Sequence, residues 1–173
     1  MLQLLIHNLF LTPFLVVIIH CSALEEIGEV QHAVVVHGCG LDEVSPLGSS
    51  KIIELRRVDE SSNGRKYLVS RYSFDPLSVG INRCKIEDLK GGATVKENAD
   101  MLREVLQAGE HGNARRDAVL LNAGFGNYVF GLSESVLDGV RLAREKLQQG
   151  AGAEKLEEWI GVSAPFRSVE KAT

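Results

Sequence analysis

Residues 33–37 read AVVVH, a short unbroken apolar run with β-branched side chains at three successive positions, and Gly38 follows at once. A continuous apolar run of this length, bounded by a glycine, reads as a fully buried strand. The chain then continues Cys39-Gly40-Leu41-Asp42-Glu43, so two adjacent carboxylates stand in a glycine-punctuated loop just past the strand. In an open α/β sheet, ligands bind in the loops that leave the carboxyl ends of strands. Adjacent acids there suit a hard cation such as Mg2+, which takes one or two carboxylates and lets substrate phosphates complete its shell. Acids in surface loops are also commonly just solvated. Spacing alone leaves both readings open for Asp42 and Glu43.

At 173 residues the chain is long enough for one domain with a real core. Its formal charge of −4 and pI near 5.7 come without any basic stripe, which argues against nucleic acid as a partner. Cys21, Cys39 and Cys84 are an odd number with no C-x-x-C spacing, so free thiols in a reducing compartment are expected. The five histidines show no H-x-x-x-H pairing, which argues against a histidine metal site.

Residues 1–24 carry no Asp, Glu, Lys or Arg. Three readings compete for this segment. A secretory signal would lack its positive n-region. A membrane span would be interrupted by Asn8 and Pro13 and lack a basic flank. The third reading, a misassigned start, is favoured on grounds given below.

From Glu25 onward the composition is ordinary. Residues 23–31 read as the end of a helix or its exit loop. Residues 49–57 and 66–72 read as two antiparallel strands, joined through a polar segment that ends in Asn63-Gly64. Asp75-Pro76 starts a short turn or helix running to Gly80. Thr94-Val95-Lys96-Glu97 fits a capping box, with Val95, Ala99, Leu102, Val105 and Leu106 on one helical face and Gly109 as the stop. Residues 118–132 are apolar almost all round, as in a buried helix, with Gly124, Gly126 and Gly131 allowing close backbone approach. A third helix has Ser133 as its cap, a stripe of Val136, Leu137, Val140, Ala143 and Leu147, and Gly150 as its end. A short fourth helix carries Ala153, Leu156, Trp159 and Ile160. Strands first and helices after indicate an α/β or α+β domain, and few strands for so many helices suggest part of one.

Four blocks occur in order: HGCGLDEVSPLG (37–48), SFDPLSVGI (73–81), DLKGG through ENADML (88–102) and LLNAGFGNYVFG (120–131). Together with SVLDGVRLAREKLQQGAGAEKLEEWI (135–160), they resemble the C-terminal part of the anthranilate phosphoribosyltransferases of glycosyltransferase family 3. The stretch FDPLSVGINRCKIEDLKGG is similar to plant and algal versions. The resemblance implies an incomplete C-terminal portion of that family's α/β domain, a mixed sheet flanked by helices. It divides the chain into residues 1–22 outside the resemblance, 23–162 within it and a loose tail at 163–173.

The family moves a phosphoribosyl group from phosphoribosyl pyrophosphate to the amine of anthranilate, in tryptophan biosynthesis. By resemblance Asp42 and Glu43 are Mg2+ ligands facing the pyrophosphate. No residue of the chain is given a catalytic role. His37 reads as a hydrogen-bonding residue that holds the loop, Gly91-Gly92 as a tight turn before the Thr94 cap, and Asn122 as a satisfied core amide. Ala93 stands where many relatives carry Asp, and Cys39 where an acidic or polar residue is usual, which alters the loop beside Asp42.

The family's helical domain, glycine-rich G-T-G-G-D phosphate loop, K-H-G-N stretch and anthranilate-contacting arginine have no counterpart in these residues. The abrupt onset of the resemblance near Ala23 favours the misassigned start. Little or no transferase activity is expected of the chain alone. The family homodimer is not expected either, because the helical domain makes its contact. The alternatives are a non-catalytic remnant or membrane-tethered scaffold, with a membrane reached only through residues 1–22, and, ranked lower, a nucleoside phosphorylase-like transferase. The compartment is plastid or cytoplasm by resemblance, and the apolar segment leaves a signal or anchor open.

Overall fold

A computed structural model of the chain describes residues 13–27, 29–58, 67–107 and 113–164. They divide into two compact units, Met1–Arg83 and Cys84–Thr173.

In the first unit, helix α1 (Pro13–Ile27) precedes three strands, β1 (His32–His37), β2 (Ser50–Arg57) and β3 (Tyr67–Phe74). They form one sheet in the order β1-β2-β3 with every pairing antiparallel, so the expected mixed sheet is represented by antiparallel strands alone among the described residues. The 49–57 and 66–72 strands lie where their β-branched and aromatic composition puts them. The segment 59–66 that joins them, including Asn63-Gly64, lies outside the described residues.

The register places Val35 opposite Ile53 and Leu55 opposite both Ala33 and Val69. Cys21, Ile53, Leu55 and Tyr67 are buried together, with Ile18, Leu24, Val35 and Val69 packed around them, so α1 closes one face of the sheet. Burial pushes the Cys21 thiol above its ordinary range. The expectation of a fully buried 33–37 strand is corrected here, because among the described residues β1 is an edge strand, half-buried at all six positions. The strand hidden on both sides is the middle one, β2, whose Ile52 through Leu55 are all buried.

Burying Glu54 in that strand would be costly without partners. It has one from each strand: Arg56 Nε donates to Oε1 at 2.8 Å, the Tyr72 hydroxyl to Oε2 at 2.9 Å, and His32 Nε2 lies 3.0 Å from Oε1.

Past β3, Asp75 caps a single 3-10 turn, Pro76–Val79, and Gly80 ends it in the left-handed region at φ 72°. Asp75 Oδ1 accepts from the Leu77 amide at 3.0 Å, and Oδ2 accepts from Arg83. The Arg83 bond first, then the Leu77 amide, holds the Asp75 carboxyl below its ordinary range.

The second unit is helical: α2 (Ile86–Leu89), α3 (Val95–Leu106), α4 (Ala114–Val129), α5 (Val136–Gln148) and α6 (Ala151–Ser163). The capping box opens α3 as read: the Glu97 amide donates to Thr94 Oγ1 at 3.2 Å, and Glu97 Oε2 accepts from the Thr94 amide at 3.0 Å. Of the expected stripe, Val105 is buried and Val95 is 89% exposed, because α3 meets the rest of the unit through its C-terminal turn. The helix stops at Leu106, and Gly109 lies outside the described residues. The Arg116 guanidinium of α4 receives the end of α3, donating to the carbonyls of Val105 at 3.2 Å, Glu104 at 3.0 Å and Gln107 at 2.8 Å.

Helix α4 therefore begins before residue 118. Its cap is Asn113, whose Oδ1 accepts from the amides of Arg115 and Arg116. It is buried along one face through Leu120, Leu121, Gly124 and Phe125 and not all round, since Val119 is 43% exposed. The cap of α5 is Ser135, which accepts from the Asp138 amide at 3.1 Å, and not Ser133. Gly150, at φ 81°, both ends α5 and opens α6. No residue of α6 is buried. Among the described residues no helix is long and apolar enough to cross a membrane.

The α4–α5 crossing depends on two glycines. A methyl group at Gly124 would overlap Val140 Cγ2 and stand 2.9 Å from the Val140 amide, and one at Gly139 would overlap the Gly124 carbonyl oxygen. Asn127 Nδ2 locks the approach by donating to the Gly139 carbonyl at 3.0 Å. Gly126, two residues along the same helix, faces open space.

Two outcomes are expected. In urea unfolding, Gly124→Ala destabilises by about 1–3 kcal/mol through overpacking, whereas Gly126→Ala stabilises by about 0.5–1 kcal/mol through helix propensity. The lowered Asp75 carboxyl stabilises the fold above its unfolded pKa, and that contribution is lost as pH falls through the folded value. Melting temperature against pH is thus expected to show Asp75→Asn less stable at neutral pH, with the gap closing below the ordinary carboxylate value of about 3.9.

Candidate functional site

β1 ends at His37, opposite Lys51 of β2, and the chain turns at once. The amide of Gly38 donates to the Leu41 carbonyl and the amide of Leu41 to the Gly38 carbonyl, each at 3.0 Å. The central residues, Cys39 at φ 55° and Gly40 at φ 91°, are both left-handed, the signature of a type I′ turn. Cys39 is the single non-glycine residue of positive φ among those described, and an L side chain there is strained. Its Sγ reaches the Ser49 carbonyl at 3.5 Å.

Asp42 and Glu43 come next, both exposed, and the chain then dives: Val44, Ser45 and Pro46 are buried. The loop folds back on its own start. A methyl group at Gly38 would overlap the Glu43 carbonyl oxygen and approach Ser45 Cβ to 3.1 Å. Ser45 is held at both ends, its amide donating to Ser50 Oγ at 3.2 Å and its Oγ accepting from the Leu47 amide at 3.0 Å. The acid pair is thus a two-residue exposed span between a closed turn and a buried anchor.

This donor set has a definite chemistry. Among the described residues no group of three or more His, Cys, Asp and Glu is gathered, which excludes from them the all-protein cage of a structural zinc or calcium site. Two adjacent exposed carboxylates fit Mg2+, which keeps several waters and accepts phosphate oxygens from a substrate.

The other residues singled out in the sequence take the following places. No hydrogen bond from the His37 ring reaches a described residue, so the expected loop-holder is replaced by the Gly38–Leu41 bridge. In the second unit, Gly92 is clamped by Asn98, whose Oδ1 accepts from the Gly92 amide at 2.9 Å while Nδ2 donates to the Gly92 and Thr94 carbonyls. A methyl at Gly91 would come within 2.8 Å of Asn98 Oδ1, so the glycine pair is the tight turn before the Thr94 cap. Asn122 Nδ2 donates to the Ala118 carbonyl at 2.9 Å, one turn back on α4. The chain's three cysteines are all free. Ser45 and Ser50 carried no signal in the sequence, since only the return of the loop onto β2 brings them together.

The chain is thus an antiparallel sheet under a helix, with an acid-bearing loop at a strand end, followed in sequence by a helical unit. It belongs to the glycosyl transferase family, through its a/b domain, which matches residues 17–153. Among individual relatives, the anthranilate phosphoribosyltransferase of Chlamydia felis is 35% identical over 137 residues, 79% of this chain and 36% of that protein. The enzyme of the same name from Chromobacterium violaceum is 38% identical over 134 residues, 77% of this chain and 36% of the relative. The crystal structure of anthranilate phosphoribosyltransferase from Thermus thermophilus superposes with a TM-score of 0.68 at 36% identity, covering 84% of this chain and 39% of the other. A Saccharomyces cerevisiae anthranilate phosphoribosyltransferase, solved with phosphoribosyl pyrophosphate and Mg, shares the fold at TM-score 0.61 and 20% identity. The chain thus spans little more than a third of the length of these relatives, 36% of both curated ones.

Two substitutions are expected to move the loop in opposite senses. Gly38→Ala drives a methyl into the Glu43 carbonyl and costs about 1–3 kcal/mol in urea unfolding. Cys39→Asn replaces a strained left-handed residue with one that tolerates the conformation and stabilises by about 1 kcal/mol.

Proposed function

We propose that this chain is the C-terminal portion of an anthranilate phosphoribosyltransferase, and that Asp42 and Glu43 are its Mg2+ ligands. The observation that carries the reading is the pinned acid pair, in a chain 35–38% identical to enzymes of that name. The whole protein would transfer the phosphoribosyl group of phosphoribosyl pyrophosphate to the amine of anthranilate. The bond from the sugar carbon to pyrophosphate breaks, the carbon–nitrogen bond forms, and the amine gives up a proton.

As that bond breaks, negative charge grows on the departing pyrophosphate. Bound Mg2+ supplies Lewis-acid neutralisation of that charge. Asp42 and Glu43 would hold the cation from a loop fixed before the substrate arrives, and preorganisation of this kind avoids reorganisation during the reaction. The loop is held by backbone contacts and by the hydroxyls of Ser45 and Ser50, so both carboxylates keep their oxygens for the cation and its waters. Residues 23–162 form the portion of the transferase domain present in the chain. The donor's other phosphate contacts belong to the remainder of the protein, and the 173-residue chain alone is expected to turn over little or no anthranilate.

The experiment is a chimera. Residues 17–153 replace the matched region of the Thermus thermophilus enzyme, and loss of anthranilate fluorescence is followed with phosphoribosyl pyrophosphate and Mg2+. Turnover is expected, with Asp42→Asn plus Glu43→Gln lowering kcat/KM by about 100-fold or more and shifting the Mg2+ requirement upward, the scale of losing one well-placed electrostatic element. A folded chimera that is inert with both acids present would sink the reading and favour a scaffold that keeps the fold without the chemistry.

A further inference from the structure

We infer that Ser50, the first residue of β2, is a positioning residue for the cation site, acting on Glu43 through the Ser45 backbone. The inference rests on the reading of Asp42 and Glu43 as Mg2+ ligands.

Ser50 is fully buried, at 0% exposure, between the acid loop and the sheet, and it pairs with Phe74 of β3. An inward strand position of that kind suits an apolar side chain, and a buried hydroxyl is costly unless it is bonded. Its Oγ accepts from the Ser45 amide at 3.2 Å. Ser45 in turn accepts from the Leu47 amide at 3.0 Å, an ST-type turn that fixes the exit of the loop over Pro46.

The two ends of the exposed span are held differently. Asp42 follows Leu41 directly, whose reciprocal bonds with Gly38 are independent of Ser50. Glu43 is separated from the Ser45 anchor by Val44 alone, and its carbonyl lies against Gly38 where no side chain could fit. Release of the Ser45 amide therefore loosens the backbone on the Glu43 side and leaves the Asp42 side in place. Groups that orient a ligand without touching the metal commonly cost 10–100-fold in metal affinity when removed.

The test uses the 173-residue chain and Mn2+ alone, read as paramagnetic broadening of the amide signals of residues 40–44 during a titration. Ser50→Ala is expected to need about 10-fold more Mn2+ than the parent, at a temperature where circular dichroism shows both fully folded. Combined with Glu43→Gln it is expected to add no further weakening, whereas combined with Asp42→Asn its effect persists, because coupling is confined to residues that share a structural link. Ser50→Cys, which keeps the volume and offers a weaker acceptor, is expected to fall between parent and Ser50→Ala, and it serves where the alanine variant does not fold. If Asp42→Asn and Glu43→Gln each weaken the localised broadening while Ser50→Ala and Ser50→Cys titrate like the parent, the positioning role is overturned and the cation site stands. If the parent shows no localised broadening, or the acid variants titrate like it, the cation reading fails and the positioning role goes with it.

Discussion

The candidate site depends on a single close approach, the Glu43 carbonyl lying on Gly38. Any side chain at residue 38 would occupy the space of that oxygen. With hydrogen there, the loop returns to its own origin and the turn at Cys39-Gly40 closes with two reciprocal bonds. The buried residues Val44 to Pro46 then tie the far side to β2. Asp42 and Glu43 stay exposed while the residues that follow them, Val44 to Pro46, are the ones that bury. A pair of acids on an untethered loop would have to be ordered by the ligand at an entropic cost. Here the backbone contacts have met that cost in folding.

The sheet beneath the loop faces a related problem, since β2 is covered on both sides yet carries a carboxylate at Glu54. A buried carboxylate is tolerable only with several donors, and His32, Arg56 and Tyr72 draw one from each strand. The same group that would destabilise a bare apolar sheet is thereby satisfied by all three strands. In the helical unit the corresponding device is apolar: Gly124 and Gly139 let α4 and α5 approach closely enough for backbone to meet backbone.

What is legible in the sequence is local. The Thr94–Glu97 box, the Asp75-Pro76 turn and the two strands after the acid loop lie where the sequence puts them, because each is decided by neighbours a few residues away. The acid pair itself is legible as a motif. The differences between sequence and structure share one cause. The apolar run of β1 resembles a buried strand, but its burial depends on neighbours on both sides, and among the described residues it has β2 alone. Arg116 carries no signal in the sequence beyond its charge, and it is the group that receives the last carbonyls of α3. His37 reads as the residue holding the loop, a task done by backbone bonds that no side-chain identity announces.

The sequence by itself determined the class of the chain, the family blocks, the order of strands and helices and the identity of the two exposed acids. These follow from periodicity, capping chemistry and residue type, all of which act at short range. Only the tertiary structure decided which strand is central, that Gly38 must lack a side chain, and that Ser45 and Ser50 meet. Those outcomes are set by contacts between residues whose proximity does not exist until the loop has closed on the sheet.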